Sequence, residues 1–517
     1  MPRPVSLVFF TMSAAVVGRL SSLLCQLIVG YYLTDTQIGA FAFALGVTGI
    51  TGLLRGGGDT QEFLSMRPEA FAMHASRIFW WGVIFWITGA VLTGVMAALS
   101  ETLSQRWSKF GTPELSACLW MLGLRQFLTP FAQVFRMSLG ADLRFGFLSK
   151  VDTATALVRI LVTVIAARMG LGAMALAGPL VIQMFMEIVL CAPVAGLSRS
   201  HFRWVGLSFV QTAKQMRWPL VVSVLSMVNT QLGFLVAGLV ASISSLGLFY
   251  FAFQLANAPR LLVVQSVQSI TGPLVARSRE DTQAGLGLVK TIYRAAFLFF
   301  PLITGSTAAF FPLFNQLVWA DRWGLAIESV AVLSVGFTFM GIMGIMIGSL
   351  TGLRRFRRVA GIEFVRSCGL MVGIFIGGFF GEANQQYGWL PGSSVTWMSV
   401  GTSLGMTLTC GFLLWKVGRE IGFLRSEVLA IMFFGPMLGA LMATAAQAII
   451  ASAKESAAGT DSTVVNLAAL CLGIPAYCLS FVLVARFHAQ STVIDALELL
   501  PMRPRQFLES LLGLQSR

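Results

Sequence analysis

Apolar runs of about 18–25 residues, separated by short polar or glycine-containing joints, recur along the whole chain. A helix of that length crosses a hydrocarbon core of roughly 30 Å. The runs predict spans near residues 5–30, 37–54, 78–100, 115–138, 149–168 and 171–195, then 218–241, 246–273, 291–315, 325–350, 361–381 and 393–416. Two further spans are expected near 427–450 and 462–485. The short alternating segments of a transmembrane barrel are missing from the pattern. The expected fold is therefore all-α: a polytopic membrane protein of about 14 transmembrane helices. Residues 1–198 and 199–420 would form two six-helix lobes, 421–486 the last two spans, and 487–517 a cytoplasmic tail. That tail carries two short amphipathic stretches, around Val493–Leu500 and Gln506–Leu514, which suit the membrane surface.

One span departs from the apolar pattern more than the others. Leu246–Leu274 carries Tyr250, Gln254, Asn257, Arg260, Gln265 and Gln268, with Pro259 just before the arginine. A central Arg costs roughly 2.5–3.5 kcal/mol to insert, so one that persists faces protein or a wet cavity. The same span has a counterpart 208 residues upstream, with Gly39/Gly247, Phe41/Phe249, Phe43/Phe251 and Ala44/Ala252 in register, preceded by Leu27/Leu235 and Gly30/Gly238. These matches at a single offset read as an internal duplication.

Composition agrees with the membrane class: 56% of residues are hydrophobic, 11% are charged and the mean hydropathy is +0.79. The net charge of +14 is unevenly distributed. Loops that join even to odd spans, with both termini, hold 27 of the 36 basic residues, and the opposite loops hold five. This bias predicts that both termini are cytoplasmic. Anionic lipid on that face accounts for the basic pI without nucleic acid. Cys25, Cys118, Cys191, Cys368, Cys410, Cys471 and Cys478 all fall in apolar runs, which suggests no disulfide framework, metal site or cofactor. Gly369, Gly373, Gly377 and Gly381 repeat every four residues and predict a smooth packing face. Trp80, Trp81 and Trp86 suit an interfacial aromatic belt.

Four basic residues lie inside spans: Arg19, Arg125, Arg159 and Arg260. Each sits on a polar stripe at helical spacing, such as Arg19–Ser22–Gln26, Arg125–Thr129–Gln133–Arg136 and Asp152–Thr155–Arg159–Thr163. Those faces should turn away from lipid. Glu187 reads as the sole deep carboxylate and as a partner for Arg159, which leaves an excess of about three buried positive charges. Any one of these arginines could be a structural tie to a neighbouring helix; four together point to an anionic ligand. Glu187, and Asp59 after the Gly56–Gly58 run, are the candidates for ion coupling, although an interfacial turn is the simpler role for Asp59.

The order of motifs resembles the polysaccharide, or lipid-linked oligosaccharide, flippase branch of the multidrug/oligosaccharidyl-lipid/polysaccharide exporter superfamily. The motifs are the Gly39–Ala44 run, Ala141-Asp-Leu-Arg-Phe145, Gly170-Leu-Gly-Ala-Met-Ala-Leu176, Leu246–Ala252 and Trp319-Ala-Asp-Arg-Trp323. The resemblance implies a V-shaped molecule of two lobes around a cationic cavity in a bacterial inner membrane, and extra spans that form a path for the lipid tail. It implies transport by alternating access rather than catalysis. The substrate would be a polyprenyl-(pyro)phosphate-linked saccharide, with Arg19 and Arg260 mapping onto the family's cationic positions. Arg125 and Arg159 are further candidates for binding phosphate, and Gln26, Gln254 and Asn257 for sugar hydroxyls. Partners would be membrane lipids and polysaccharide-assembly proteins, with the chain itself monomeric. The alternatives are a peptidoglycan lipid-precursor flippase, a multidrug/cation antiporter of the same superfamily, and a membrane polysaccharide polymerase or ligase.

Overall fold

The computed structural model describes residues 4–52, 68–106, 108–112, 114–142, 144–197, 202–203, 209–277, 282–352, 355–387, 392–421, and 444, 447, 448, 466 and 477. For helix residues 4–16, 19, 68–75, 77–78, 209–216, 219, 262–263, 265–299, 352 and 417–421 only the backbone is described. Asp59, the tail and, apart from residues 444, 447, 448, 466 and 477, the two expected C-terminal spans lie outside the described residues.

Every described segment of regular structure is helical. The order is α1 Pro4–Tyr32, α2 Asp35–Thr51, α3 Pro68–Ala98, α4 Ser100–Ser104, α5 Leu115–Ala141, α6 Phe145–Arg168 and α7 Met174–Cys191. It continues with α8 Phe209–Met227, α9 Gly233–Val240, α10 Ile243–Arg277, α11 Thr282–Trp319, α12 Ile327–Gly352, α13 Phe356–Tyr387 and α14 Ser394–Ile421. A π-turn, Val228–Leu232, joins α8 to α9. Among the described residues six stretches are long and apolar enough to cross a membrane, by length and composition: Phe79–Ala98, Met174–Cys191, Leu220–Val240, Gly324–Thr351, Phe356–Tyr387 and Ser394–Lys416. This is a multi-pass helical membrane protein, and its helices overlap the first twelve expected spans, with α3, α8 and α11 starting nine or ten residues earlier than expected.

Two compact units make up the chain, Met1–Phe251 with Phe356–Val395, and Ala252–Arg355 with Thr396–Arg517. In the first, α1 packs on α6, α3 on α5, α5 and α6 on α7, α2 on α9, and α8 and α9 on α13. A buried polar triad ties three of these helices: Thr51 and Thr93 hydroxyls lie 2.8 Å apart, and Gln126 donates to Thr51 at 3.3 Å and accepts from Thr93 at 3.2 Å. In the second unit α11 packs on α12, where the Thr304 and Thr338 hydroxyls meet at 2.5 Å.

The duplicated runs meet each other. Gly39 of α2 lies against Ile243 of α10, and Gly247 of α10 lies against Asp35 of α2. Each glycine faces the backbone four residues before its counterpart, so the repeat generates a pseudo-twofold crossing. A side chain on Gly247 would come within 2.8 Å of Gly39 N, so only glycine lets the backbones approach this closely. Phe43, Phe249 and Phe251 are each at most 1% exposed around the crossing. Ser244 also donates to Asp35 there.

The remaining signature motifs are turns and caps at helix ends. Thr34 accepts from Gln37 N, and Gln37 Oε1 accepts from Thr34 N, a capping box that starts α2. Gly172, at φ +54°, lets the chain enter α7 beside the Glu114 carboxylate, which accepts from Ala173 N and, at 2.9 Å, from Gln37 Nε2. Asp321 adopts φ +64° in the Trp319–Trp323 turn, where Asn315 donates to its carboxylate at 2.8 Å and accepts from Trp323 N at 3.1 Å. Lys109 reaches the C-terminal carbonyls of α9, donating to Gly238 O at 2.5 Å and Leu239 O at 2.8 Å. Burial pushes its ammonium below the usual lysine value, and Glu382 pulls the other way.

Two packing expectations meet the structure differently. Gly381 does approach the next helix closely, since an added Cβ would lie 2.8 Å from Ser394 O. The tryptophans of α3 are not simply a lipid-facing belt: Trp81 is 4% exposed, and Trp80 Nε1 donates to Phe202 O at 3.0 Å.

Candidate functional site

In the first unit α5, α6, α7 and α1 converge on a cluster of charged side chains. The lipid-facing side of α6 is plain from Leu157, Leu161 and Ile165, which are 60%, 59% and 49% exposed. Thr155 and Thr163, one turn before and after Arg159, are buried at 1% and 2%. The polar stripe of α6 therefore turns inward, as its spacing predicts.

Arg159 Nη1 donates to Ser22 Oγ of α1 at 3.2 Å, and the neighbouring Ser21 Oγ donates to Ala156 O at 3.0 Å. Arg159 thus has a neutral partner instead of the expected Glu187. Glu187, 5% exposed on α7, faces Arg136 of α5 at 3.5 Å and accepts from Gln183 Nε2 at 3.1 Å. Arg136 makes its shorter ion pair with Asp152 of α6, at 2.6 Å. The sequence pattern assigns Arg136 to the cytoplasmic end and misses this pairing. Position along a helix does not reveal that α6 and α7 each bring a carboxylate to the same guanidinium.

Arg125, about three helical turns before Arg136, is half-buried, and its guanidinium has no hydrogen bond or ion pair among the described residues. It lies within electrostatic reach of Arg159, which repels it, and of Glu187, which attracts it. The described members of the cluster are three arginines and two carboxylates, a net charge of +1. Both carboxylates are engaged by Arg136, leaving Arg125 and Arg159 as a like-charged pair in the interior of a membrane bundle. Gln26, one turn beyond Ser22 on α1, has its Oε1 buried without a donor. Arg19 lies on α1 three residues before Ser22, with only its backbone described.

The second unit holds Gln254, Asn257 and Arg260 on α10. Arg260 is 7% exposed; its Nε donates to Asn257 Oδ1 at 2.7 Å, and its guanidinium lies 5.5 Å from the Phe337 ring centroid of α12. A cation over an aromatic face beside an amide acceptor is stabilised by both contacts. Asn257 is 8% exposed and Gln254 is half-buried. The predicted residues thus form two groups, Arg125, Arg159 and Glu187 in one unit and Asn257 with Arg260 in the other.

A second deep carboxylate corrects the reading of Glu187 as the only one. Glu363, near the start of α13, is 3% exposed and pairs with Arg366 at 2.6 Å; Arg366 itself is 8% exposed. Asn229 in the π-turn donates to Glu363 at 2.7 Å. Asn229 Oδ1, Gln231 Oε1 and Arg366 Nε are buried there without partners. The 361 boundary of the expected span puts Glu363 at an interface, whereas α13 begins at Phe356 and carries the pair into the packed zone against α8 and α9. An i,i+3 pair neutralises itself, which lets both groups be buried. No group of metal-ligating side chains occurs among the described residues.

Comparison with known proteins places this arrangement. The chain resembles the solved structure titled lipid II flippase MurJ in its inward closed conformation, with a TM-score of 0.63 and 12% identity over 93% of this chain and 99% of that one. An inward-facing multidrug resistance MATE transporter of the MOP superfamily matches with a TM-score of 0.52 and 12% identity, over 82% of this chain and 98% of that one. A Vibrio cholerae MATE transporter matches at 0.50 and 14%, over 83% and 98%. No curated protein matches the sequence. The profile of the polysaccharide biosynthesis protein family matches residues 28–328, more than half of the chain. This chain therefore belongs to the polysaccharide biosynthesis protein family, and is a multi-pass membrane protein whose fold resembles those solved structures.

Proposed function

We propose that this membrane protein is a transporter, a flippase that moves a polyprenyl-(pyro)phosphate-linked saccharide across the bacterial inner membrane by alternating access. One observation carries the reading: Arg125 and Arg159 stand inside the helical bundle as cations without a carboxylate of their own. Uncompensated positive charge in a low-dielectric interior favours an anion, and guanidinium binds phosphate bidentately while keeping its charge. The orphan Oε1 of Gln26 is an acceptor of the kind a sugar hydroxyl satisfies. Arg260 of the second unit, beside an amide oxygen and an aromatic face, is a further guanidinium of the kind that binds phosphate. The head group is taken into a polar interior while the polyprenyl tail stays in lipid, so no covalent step is needed.

The basic-residue bias of 27 to five supports cytoplasmic termini, and hence loading from the cytoplasmic face. A peptidoglycan lipid precursor is the second substrate class supported, since the similarity to the lipid II flippase structure spans 93% of the chain. A lipophilic-cation antiporter is less favoured because Glu187 and Glu363 each face an arginine.

The test uses Ala and Lys variants of Arg19, Arg125, Arg159 and Arg260, scored for membrane abundance and for export of lipid-linked saccharide. Alanine should abolish export per folded molecule and lysine should restore it in part, because lysine lacks the two-donor fork. Normal export per folded molecule in all four alanine variants would refute the phosphate-binding role.

A further inference from the structure

We infer that Glu187 takes up a proton when a diphosphate diester binds at Arg125 and Arg159, so that head-group binding and protonation are one linked event. The inference rests on the phosphate-binding reading above and specifies how that site balances charge.

The described cluster of Arg125, Arg136, Arg159, Asp152 and Glu187 carries +1. A diphosphate diester brings two negative charges, which takes these five described side chains together with the ligand to −1. In a bundle interior a surplus of either sign is expensive, and one proton restores neutrality. Two carboxylates could accept it. Asp152 holds Arg136 at 2.6 Å and its side chain is 30% exposed, so its charged form is paired and partly hydrated. Glu187 stands 3.5 Å from Arg136 with its side chain 6% exposed, so its charged form has the weaker pair and the poorer hydration. Glu187 is also within electrostatic reach of Arg125, so an anion bound there both neutralises that attraction and adds a repulsion.

The neighbouring groups can serve either state of Glu187. Gln183, which now donates to the carboxylate at 3.1 Å, can present its carbonyl oxygen to a protonated acid by turning its amide. The charged and titratable groups that face Glu187 are Arg125 and Arg136 on α5, Asp152 on α6 and Cys191 on its own helix. Arg159 of α6 acts through Arg125, and α2 brings no ionisable side chain after Asp35. By linkage, the proton favours the anion as much as the anion favours the proton.

The test is anion binding to the purified full chain, with UDP-N-acetylglucosamine as a soluble diphosphate diester whose two charges do not titrate near neutral pH. Proton uptake on binding is measured in weak buffer, together with the infrared difference band of a protonated carboxylic acid. Wild type should gain about one proton per bound anion and show the band, and its affinity should rise at least about fivefold as pH falls from about 8 to 5.5. Glu187→Gln should bind with little pH dependence, no uptake and no band. Binding to wild type without proton or band would overturn the linkage and leave the phosphate site standing. Persistence of uptake and band in Glu187→Gln would overturn the assignment to Glu187. Absence of binding that Arg125→Gln abolishes would overturn the phosphate site and the linkage together. The wild-type proton count tests the linkage itself without any variant.

Discussion

The crossing of the duplicated runs makes a quantitative prediction. Replacing Gly39 by alanine puts a methyl group 2.9 Å from the carbonyl carbon of Ile243, with the carbonyl oxygen nearer still. Replacing Gly247 puts one 2.7 Å from the carbonyl carbon of Asp35. Real contacts of a methyl carbon essentially never fall under 3.0 Å, and the nearest obstacle in each case is a backbone carbonyl oxygen, so α2 and α10 must separate by about 1 Å or more. That separation disturbs the packing around Phe43, Phe249 and Phe251, all essentially inaccessible. Overpacking typically costs about 1–3 kcal/mol, and each single variant should lie at the upper end, near 3 kcal/mol. The two substitutions act on one spacing, so once the helices have parted for the first methyl the second costs less. The double variant should be less destabilised than the sum of the singles by 1 kcal/mol or more, on the order of the coupling seen between residues in contact. Thermal unfolding of the detergent-purified full chain, read for wild type, both singles and the double, measures this. Singles within about 0.5 kcal/mol of wild type, or a double equal to the sum, would refute the close crossing.

The buried pair on α13 should behave differently from a surface ion pair. Arg366→Ala removes the paired cation from a Glu363 that is 3% exposed, a loss of about 3–5 kcal/mol visible as reduced folded yield. The double variant Glu363→Leu with Arg366→Met should recover most of that loss; a double as damaged as the single would show that the pair is not self-neutralising. A reporter fused after Arg517 should be active only in its cytoplasmic form, as the distribution of basic residues requires, and an external signal would overturn the span count.

Much of the architecture is legible from hydrophobic pattern alone, because a lipid-embedded helix must be apolar over its whole length and its ends must be polar or turn-forming. The family motifs are also local: Gly172 avoids the Glu114 carboxylate, Asp321 makes a left-handed turn, and Gly39 and Gly247 cross. They identify the fold because they build it, and none of them contains a candidate ligand-binding arginine. Polar stripes pointed correctly to the inward faces of Arg159 and Arg260. What sequence spacing does not contain is which helix brings the counter-charge. Glu187 lies 28 residues from Arg159 and 51 from Arg136, and only the packing of α5 against α7 selects the second. Glu363 escaped for a related reason. Its burial depends on an arginine one turn away and on Asn229, 134 residues earlier, supplied by a π-turn with no sequence signature.

The central claim is that the surplus arginines receive the phosphate of a lipid-linked saccharide, and the most direct measurement is translocation itself. The full chain is reconstituted into liposomes containing a polyprenyl-diphosphate-linked saccharide, and the fraction of glycan reached by an externally added glycosidase is followed over time. Wild type should expose the inner-leaflet glycan, whereas Arg125→Gln and Arg159→Gln, folded to the same extent, should leave about half of it protected, with translocation lowered by at least about tenfold, the loss expected when a desolvated charge-assisted contact worth about 1.5–3 kcal/mol disappears. Equal rates for wild type and both variants would contradict the account, as would a wild type that moves no lipid-linked saccharide.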